Sequence, residues 1–320
     1  MNYKPIILVA GEPKSIFLEI LFKTLNKKKF KSQIILLASK KVVLHQMKIL
    51  NFKFNINEIR LENLTNLKLY KTKINLINID LKKYSSSNKI SKSTNSYIKK
   101  SFDIALDLIK KKISNKLING PISKKIFLNK KFLGITEYLA NKSKTQKYAM
   151  LIYNKKLSVS PITTHLPLKN VYKNINQHTI KEKIILINNF YKEILNKKAV
   201  IAVTGLNPHC ESINSFNEDE KIILPAIKSL KKKGLDISGP WSADTMFLKQ
   251  NRKNFNLIVG MYHDQVLTPI KTLYEYDAIN VTLGLPFIRV SPDHGPNEKM
   301  FGKNISNPQS LINSIEFLDR

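Results

Sequence analysis

The sequence predicts an α/β protein built on a mostly parallel sheet covered on both faces. Short β-branched runs alternate with longer stretches of helical periodicity from end to end, the signature of successive βαβ units. The strand candidates are nearly continuous apolar runs, as expected of strands buried on both sides. At 320 residues the chain is long enough for two domains, and 42% apolar with 24% charged residues is an ordinary globular composition.

The elements follow in order. Pro5 to Ala10 reads as a buried strand, Ser15 to Leu25 as a helix whose Ile16, Ile20 and Leu21 share a face, and Gln33 to Ala38 as the next strand. Lys82 to Asn95 is polar and aperiodic, an expected exposed loop. Helices are expected over Ser96–Lys112, Ile180–Leu195 and Glu218–Lys233, each with a lysine-rich outer side. Further strands are expected at Leu117–Asn119, Tyr148–Tyr153, Leu157–Thr164, Ala199–Thr204, Leu257–Met261 and Ile279–Leu283. No repeat and no linker divides the chain, so any two lobes are interleaved.

The formal net charge is +31, which ordinarily points to nucleic acid or another polyanion. Only Arg60, Arg252, Arg289 and Arg320 are arginine, and nucleic-acid readers lean on the arginine fork. The lysines are scattered rather than gathered into an arm, which argues against nucleic acid and for solvated surfaces whose field gathers small phosphorylated substrates. Cys210 is the single cysteine, so no internal disulfide forms and a reducing, cytoplasmic compartment is expected. No apolar run of about 18 residues is present to span a bilayer, so no membrane is expected as a partner.

Three histidines share one context, an apolar strand running into a polar turn: Leu157 to His165, Ala199 to His209 and Asn256 to His263. In open α/β sheets the carboxyl ends of strands form the ligand crevice. The three lie 44 and 54 residues apart, so only the sheet can gather them. Three neutral imidazoles leave positions open on a catalytic divalent ion; the plainer alternative is three separate hydrogen-bonded turn histidines. Asp264 beside His263, and Asp244 in Gly239-Pro-Trp-Ser-Ala-Asp-Thr245, are candidates to orient an imidazole or bind the ion. Asp244 reads equally well as a helix N-cap. Arg289 stands between Ile288 and Val290, where a guanidinium needs a partner, either a structural carboxylate or an anionic substrate. Lys271 and Asn280 are weaker candidates.

Six blocks together, Gly134-Ile-Thr-Glu-Tyr-Leu139, Thr163-Thr-His-Leu-Pro-Leu168, Gly205-Leu-Asn-Pro-His209, Gly239 to Thr245, Tyr262-His-Asp-Gln265 and Asn280 to Gly295, resemble the 4-hydroxythreonine-4-phosphate dehydrogenase family, in order and across the chain. The resemblance implies an isocitrate/isopropylmalate dehydrogenase-like three-layer α/β/α fold with two interleaved lobes, residues 1–128 plus 288–320 and residues 129–287, and the active site in the cleft. It implies a homodimer with interface active sites and NAD- or NADP-dependent oxidation of 4-phosphooxy-L-threonine, with decarboxylation to 3-amino-2-oxopropyl phosphate, on the way to pyridoxal phosphate. One divalent ion per site, zinc, magnesium or cobalt, would be held by His165, His209 and His263, and substrate by Thr136, Lys271, Asn280 and Arg289. The loop after His294 and Gly295 is the implied cofactor side. The chain departs from the family pattern at Ile135, where the family has histidine, at Gly11-Glu-Pro-Lys-Ser-Ile-Phe-Leu-Glu19, which lacks the later glycines, and at Pro296–Lys303, where small residues are replaced. Two other readings remain open: a sister dehydrogenase for erythronate or threonate 4-phosphate, and a non-catalytic metal- or polyanion-binding protein.

Overall fold

The computed structural model describes residues 3–62, 67–81, 92–123, 127, 132, 134–212, 216–292 and 295–319. Most of the expected loop Lys82–Asn95, and His294 itself, lie outside the described residues. The chain forms two compact units, Met1–Tyr138 with Pro286–Arg320, and Leu139–Leu285.

In chain order the first unit runs β1 (Ile6–Val9), α1 (Phe17–Lys27), β2 (Ile34–Ala38), α2 (Lys40–Ile49), β3 (Ile56–Glu58), β4 (Ile74–Asn78), α3 (Lys92–Lys110) and β5 (Lys116–Asn119). Helix α4 (Ile135–Lys142) leads into the second unit, which holds β6 (Ala149–Tyr153), β7 (Ser158–Thr163), α5 (Gln177–Glu193), β8 (Val200–Thr204), α6 (Leu224–Lys232), β9 (Asp236–Trp241), α7 (Ala243–Met246), α8 (Lys249–Arg252), β10 (Leu257–Tyr262), α9 (His263–Tyr274) and β11 (Ile279–Leu283). The chain then returns to the first unit as β12 (Ile288–Pro292) and α10 (Gln309–Leu318).

The first unit's strands lie in the order β3-β4-β2-β1-β5-β12, every pairing parallel. All four residues of β1 are wholly buried, which a sheet covered on both faces requires. The second unit has the order β11-β6-β7-β10-β8-β9. Here β6 runs antiparallel to both neighbours and the remaining pairings are parallel. Its core gathers Met150, Ile152, Val159, Ile258, Val266 and Ile270 from strands and from α9.

Three differences from the sequence expectation have physical causes. Helix α5 starts three residues before Ile180, because Asn176 accepts a hydrogen bond from the Thr179 amide at 2.9 Å and so fixes the N-terminus. The helix expected over Glu218–Lys233 opens as a π-turn, Asp219–Ile223, before α6, where Pro225 lacks the amide an unbroken α-helix would use. Asp244 is not an N-cap: Ser242 holds that position ahead of α7 and Asp244 lies in the first turn.

Candidate active site

Two sets of polar side chains lie at strand ends, one in each unit. In the first unit Arg289 springs from β12 with 2% of its surface exposed. Its Nε donates to Asn119 Oδ1 at 2.8 Å, and its Nη1 reaches the hydroxyl of buried Thr136 at 3.5 Å. Asn119 ends β5 and Thr136 lies in the first turn of α4, so three elements meet on one guanidinium. Burial lowers the Arg289 pKa to about 9, against the upward pull of Glu137, and the group stays cationic at neutral pH. Ile135, beside Thr136, presents an alkyl group at the first position of α4.

The turn after β1 lies in the same unit. Gly11 sits at φ +76°, and a Cβ there would fall 2.4 Å from the Pro121 carbonyl, so the strand-end contact needs glycine. Glu12 follows, buried; its Oε1 accepts from the Ser123 amide at 3.2 Å. Its Oε2 has no hydrogen-bond partner, and burial, with Glu298 adding repulsion, raises its pKa to about 7 despite the Ser123 bond. Phe17, where the family pattern has a glycine, is wholly buried. The Ile16 amide donates to the Pro296 carbonyl at 3.2 Å, which brings the loop after Gly295 against the start of α1.

In the second unit His165 lies two residues past β7 and His263 opens α9 directly after β10, so the expected turn at His263 is a helix start. Strands β7 and β10 are paired neighbours, and the two imidazole rings stand 5.7 Å apart between centroids. His263 Nδ1 lies 2.7 Å from Asp264 Oδ1. His209 sits in a tight turn after β8, where it and Cys210 take φ values of 56° and 62°, a left-handed pair that side chains rarely adopt. The turn is held from below: buried Asp219 accepts from the amides of Leu206 and Asn207 at 2.7 and 3.1 Å and from Asn207 Nδ2 at 2.9 Å. Asp244 is fully exposed; the Ser242 hydroxyl at 2.6 Å is the main cause of its lowered pKa, with His209 a smaller one.

The structure thus joins His165 with His263, and sets His209 close enough to Asp244 to act on its titration. Among the described residues no three His, Cys, Asp or Glu side chains form one cluster able to hold a metal. The chemistry of the donors still suits a borderline divalent ion: two imidazoles face one another, one of them oriented by a carboxylate. Asn280 on β11 has a buried Oδ1 with no hydrogen-bond partner, while Lys271 is exposed on α9. Sequence reasoning missed Glu12, Asn119, Asp219 and Gln265. Gln265 accepts from the Met261 amide at 2.7 Å and donates to the Gly205 carbonyl at 2.7 Å, tying the His263 and His209 segments together. An Asn or Glu at the end of an apolar strand was the available signal for Asn119 and Glu12; Asp219 and Gln265 carry none.

Comparison with known proteins identifies the family. Residues 29–318 match the family described as pyridoxal phosphate biosynthetic protein PdxA. The chain is 41% identical over 315 residues to 4-hydroxythreonine-4-phosphate dehydrogenase of Sulfurihydrogenibium sp., covering 97% of this chain and 95% of that one. It is 36% identical over 184 residues to D-threonate 4-phosphate dehydrogenase of Pectobacterium atrosepticum, 57% of this chain and 56% of the relative. The crystal structure of 4-hydroxythreonine-4-phosphate dehydrogenase from Klebsiella pneumoniae superposes with a TM-score of 0.83 at 27% identity, covering 99% of this chain and 97% of that one. From these matches and the α/β fold, the chain belongs to the PdxA family of pyridoxal phosphate biosynthetic proteins.

Proposed function

We propose that this chain is a 4-hydroxythreonine-4-phosphate dehydrogenase: it oxidises the C3 hydroxyl of 4-phosphooxy-L-threonine with NAD or NADP, and carbon dioxide is lost to leave 3-amino-2-oxopropyl phosphate. The observation that carries it is the 41% identity to a relative of that name over nearly the whole of both chains. His165, His209 and His263 are the proposed ligands of one divalent ion, zinc, magnesium or cobalt, and Thr136, Lys271, Asn280 and Arg289 the proposed substrate contacts. When bound, the nicotinamide takes the hydride and the ion supplies Lewis acidity.

The chain's own residues do the rest. Asp264 accepts at His263 Nδ1, which leaves Nε2 with the lone pair a ligand needs. Arg289, fixed by Asn119 and Thr136, presents a cation with little freedom left to lose, suited to phosphate or carboxylate. Asn280 Oδ1 is a buried acceptor in want of a donor, which a substrate ammonium or hydroxyl supplies. The +31 charge draws a phosphorylated anion in. A single cysteine suits the cytoplasm, and a homodimer with interface active sites belongs to the same reading.

A second reading, oxidation of D-threonate 4-phosphate, is favoured by Ile135, an alkyl group where the family pattern has histidine. The test is NADH or NADPH formation by metal-loaded protein on each substrate, beside His209→Ala. Turnover on 4-phosphooxy-L-threonine that vanishes in the variant is expected. Turnover on D-threonate 4-phosphate alone transfers the assignment to the second reading, and turnover on neither overturns both.

A further inference from the structure

The first unit holds a cavity of about 340 Å³ that the proposed reaction does not use. It opens at the amino ends of β2 and β4, where Ile34 and Ile74 begin those strands, and beside the last turn of α1. Asn119 and Glu12 lie at the carboxyl ends of β5 and β1, where the Arg289 guanidinium reaches Asn119, and a five-residue strand is about 16 Å long. The cavity is therefore a separate place in the unit.

Its lining has a definite chemistry. Leu21, Leu25, Phe30, Phe54 and Tyr70 supply the walls, three of the five aromatic. Ser32 lines it too, a buried residue whose amide donates to Asp319. The mouth carries Lys28, Lys29, Lys71 and Lys73. Glu316 neutralises Lys28, Lys73 lies 4.4 Å from the Tyr70 ring centroid, and Lys29 and Lys71 make no ion pair among the described residues. Cations are in excess at the mouth of an apolar, aromatic-walled hole.

We propose that this cavity is a binding site for a small aryl anion, a flat apolar ring carrying a phosphate or carboxylate. The ring fills the space between Phe30, Phe54 and Tyr70, where offset or edge-on stacking rewards a planar body. The anionic group rests among the lysines. The volume lies within the usual range for small-molecule sites, about 300–1,000 Å³.

The probe is 1-naphthyl phosphate, titrated calorimetrically into the full chain, with 1-naphthol and inorganic phosphate as its two halves. Binding of one equivalent is expected, with at least tenfold weaker binding of either half. Leu25→Trp fills the cavity and should lower affinity at least tenfold. Lys71→Glu/Lys73→Glu should weaken 1-naphthyl phosphate similarly and leave 1-naphthol unchanged. Circular dichroism and melting temperature confirm that each variant is folded, and Leu25→Ala, which enlarges the hole, replaces Leu25→Trp if that variant does not fold; it should alter affinity for the ring without altering the preference for the anion. Several equivalents bound, indifferent to the substitution at Leu25, would reduce the site to adventitious lysine binding and overturn the proposal. No binding at millimolar probe, or a change of oligomeric state on substitution in place of a change of affinity, would overturn it as well.

Discussion

Arg289 and Glu12 in the first unit are sealed, and His263 and Asp264 in the second are open. Arg289 and Glu12 are each 2% exposed, whereas the side chains of His263 and Asp264 are 34% and 81% exposed. A sealed charge has to be hydrogen-bonded in advance and its titration moves, as Arg289 and Glu12 both show. An open imidazole keeps a lone pair available to whatever arrives. On the proposed assignment, the contrast separates a preformed anchor for substrate from a set of ligands whose order depends on what they hold.

Arg289→Met breaks the sealed side with the largest effect. The substitution removes the cation and leaves Asn119 Oδ1 without its donor, so kcat/KM on 4-phosphooxy-L-threonine should fall by about 10²–10³-fold, equivalent to about 3–4 kcal/mol. Stability should change much less, since an apolar side chain of similar length avoids burying a charge. Steady-state kinetics together with a urea melt separate the two. A collapse of stability with activity retained per folded molecule would make Arg289 structural and erase the contrast.

Asp219→Ala probes the open side from beneath. Three hydrogen bonds vanish and the amides of Leu206 and Asn207 lose their acceptor, which costs about 2–4 kcal/mol by urea denaturation. Because the left-handed turn at His209 rests on those amides, divalent-ion affinity should fall in parallel. A loss below about 0.5 kcal/mol would show that water replaces the carboxylate readily and that the His209 turn needs no support.

How far the sequence reveals these regions follows from the same distinction. The placement of His165, His209 and His263 after strands was legible because each follows an apolar run, and β11 at Ile279–Leu283 was legible to the residue. Strand β9 was hidden by Gly239-Pro240; it tolerates proline because it closes one end of its sheet order, with a single partner, β8. Helix α9 was hidden by Pro269 within it. Arg289 was visible as an oddity between apolar neighbours, but its partner Asn119 lies 170 positions away, and no local pattern reports such a distance. The pairing of β6 against its two neighbours was equally invisible, because an antiparallel strand buried on both faces reads like a parallel one.

Glu12 sharpens the comparison most finely. Its carboxyl keeps its proton up to about pH 7 in the folded chain, against 4.5 for the free group. Between those values the folded state binds more protons than the unfolded state. The stabilisation is therefore fully present below pH 4.5 and is lost as pH rises through about 7, after which it is flat. Glu12→Gln preserves shape and removes the titration, so its melting temperature should decline less than that of the parent chain between about pH 5 and 8. The difference should reach on the order of 2 kcal/mol, or several degrees, at the upper end. Parallel curves would mean that water reaches Oε2 and that the turn after β1 is as open as the histidine turns. A steeper decline in the variant would mean instead that the carboxylate is held by donors stronger than the Ser123 amide, and the sealed side would then be organised around an anion at Glu12 as well as a cation at Arg289.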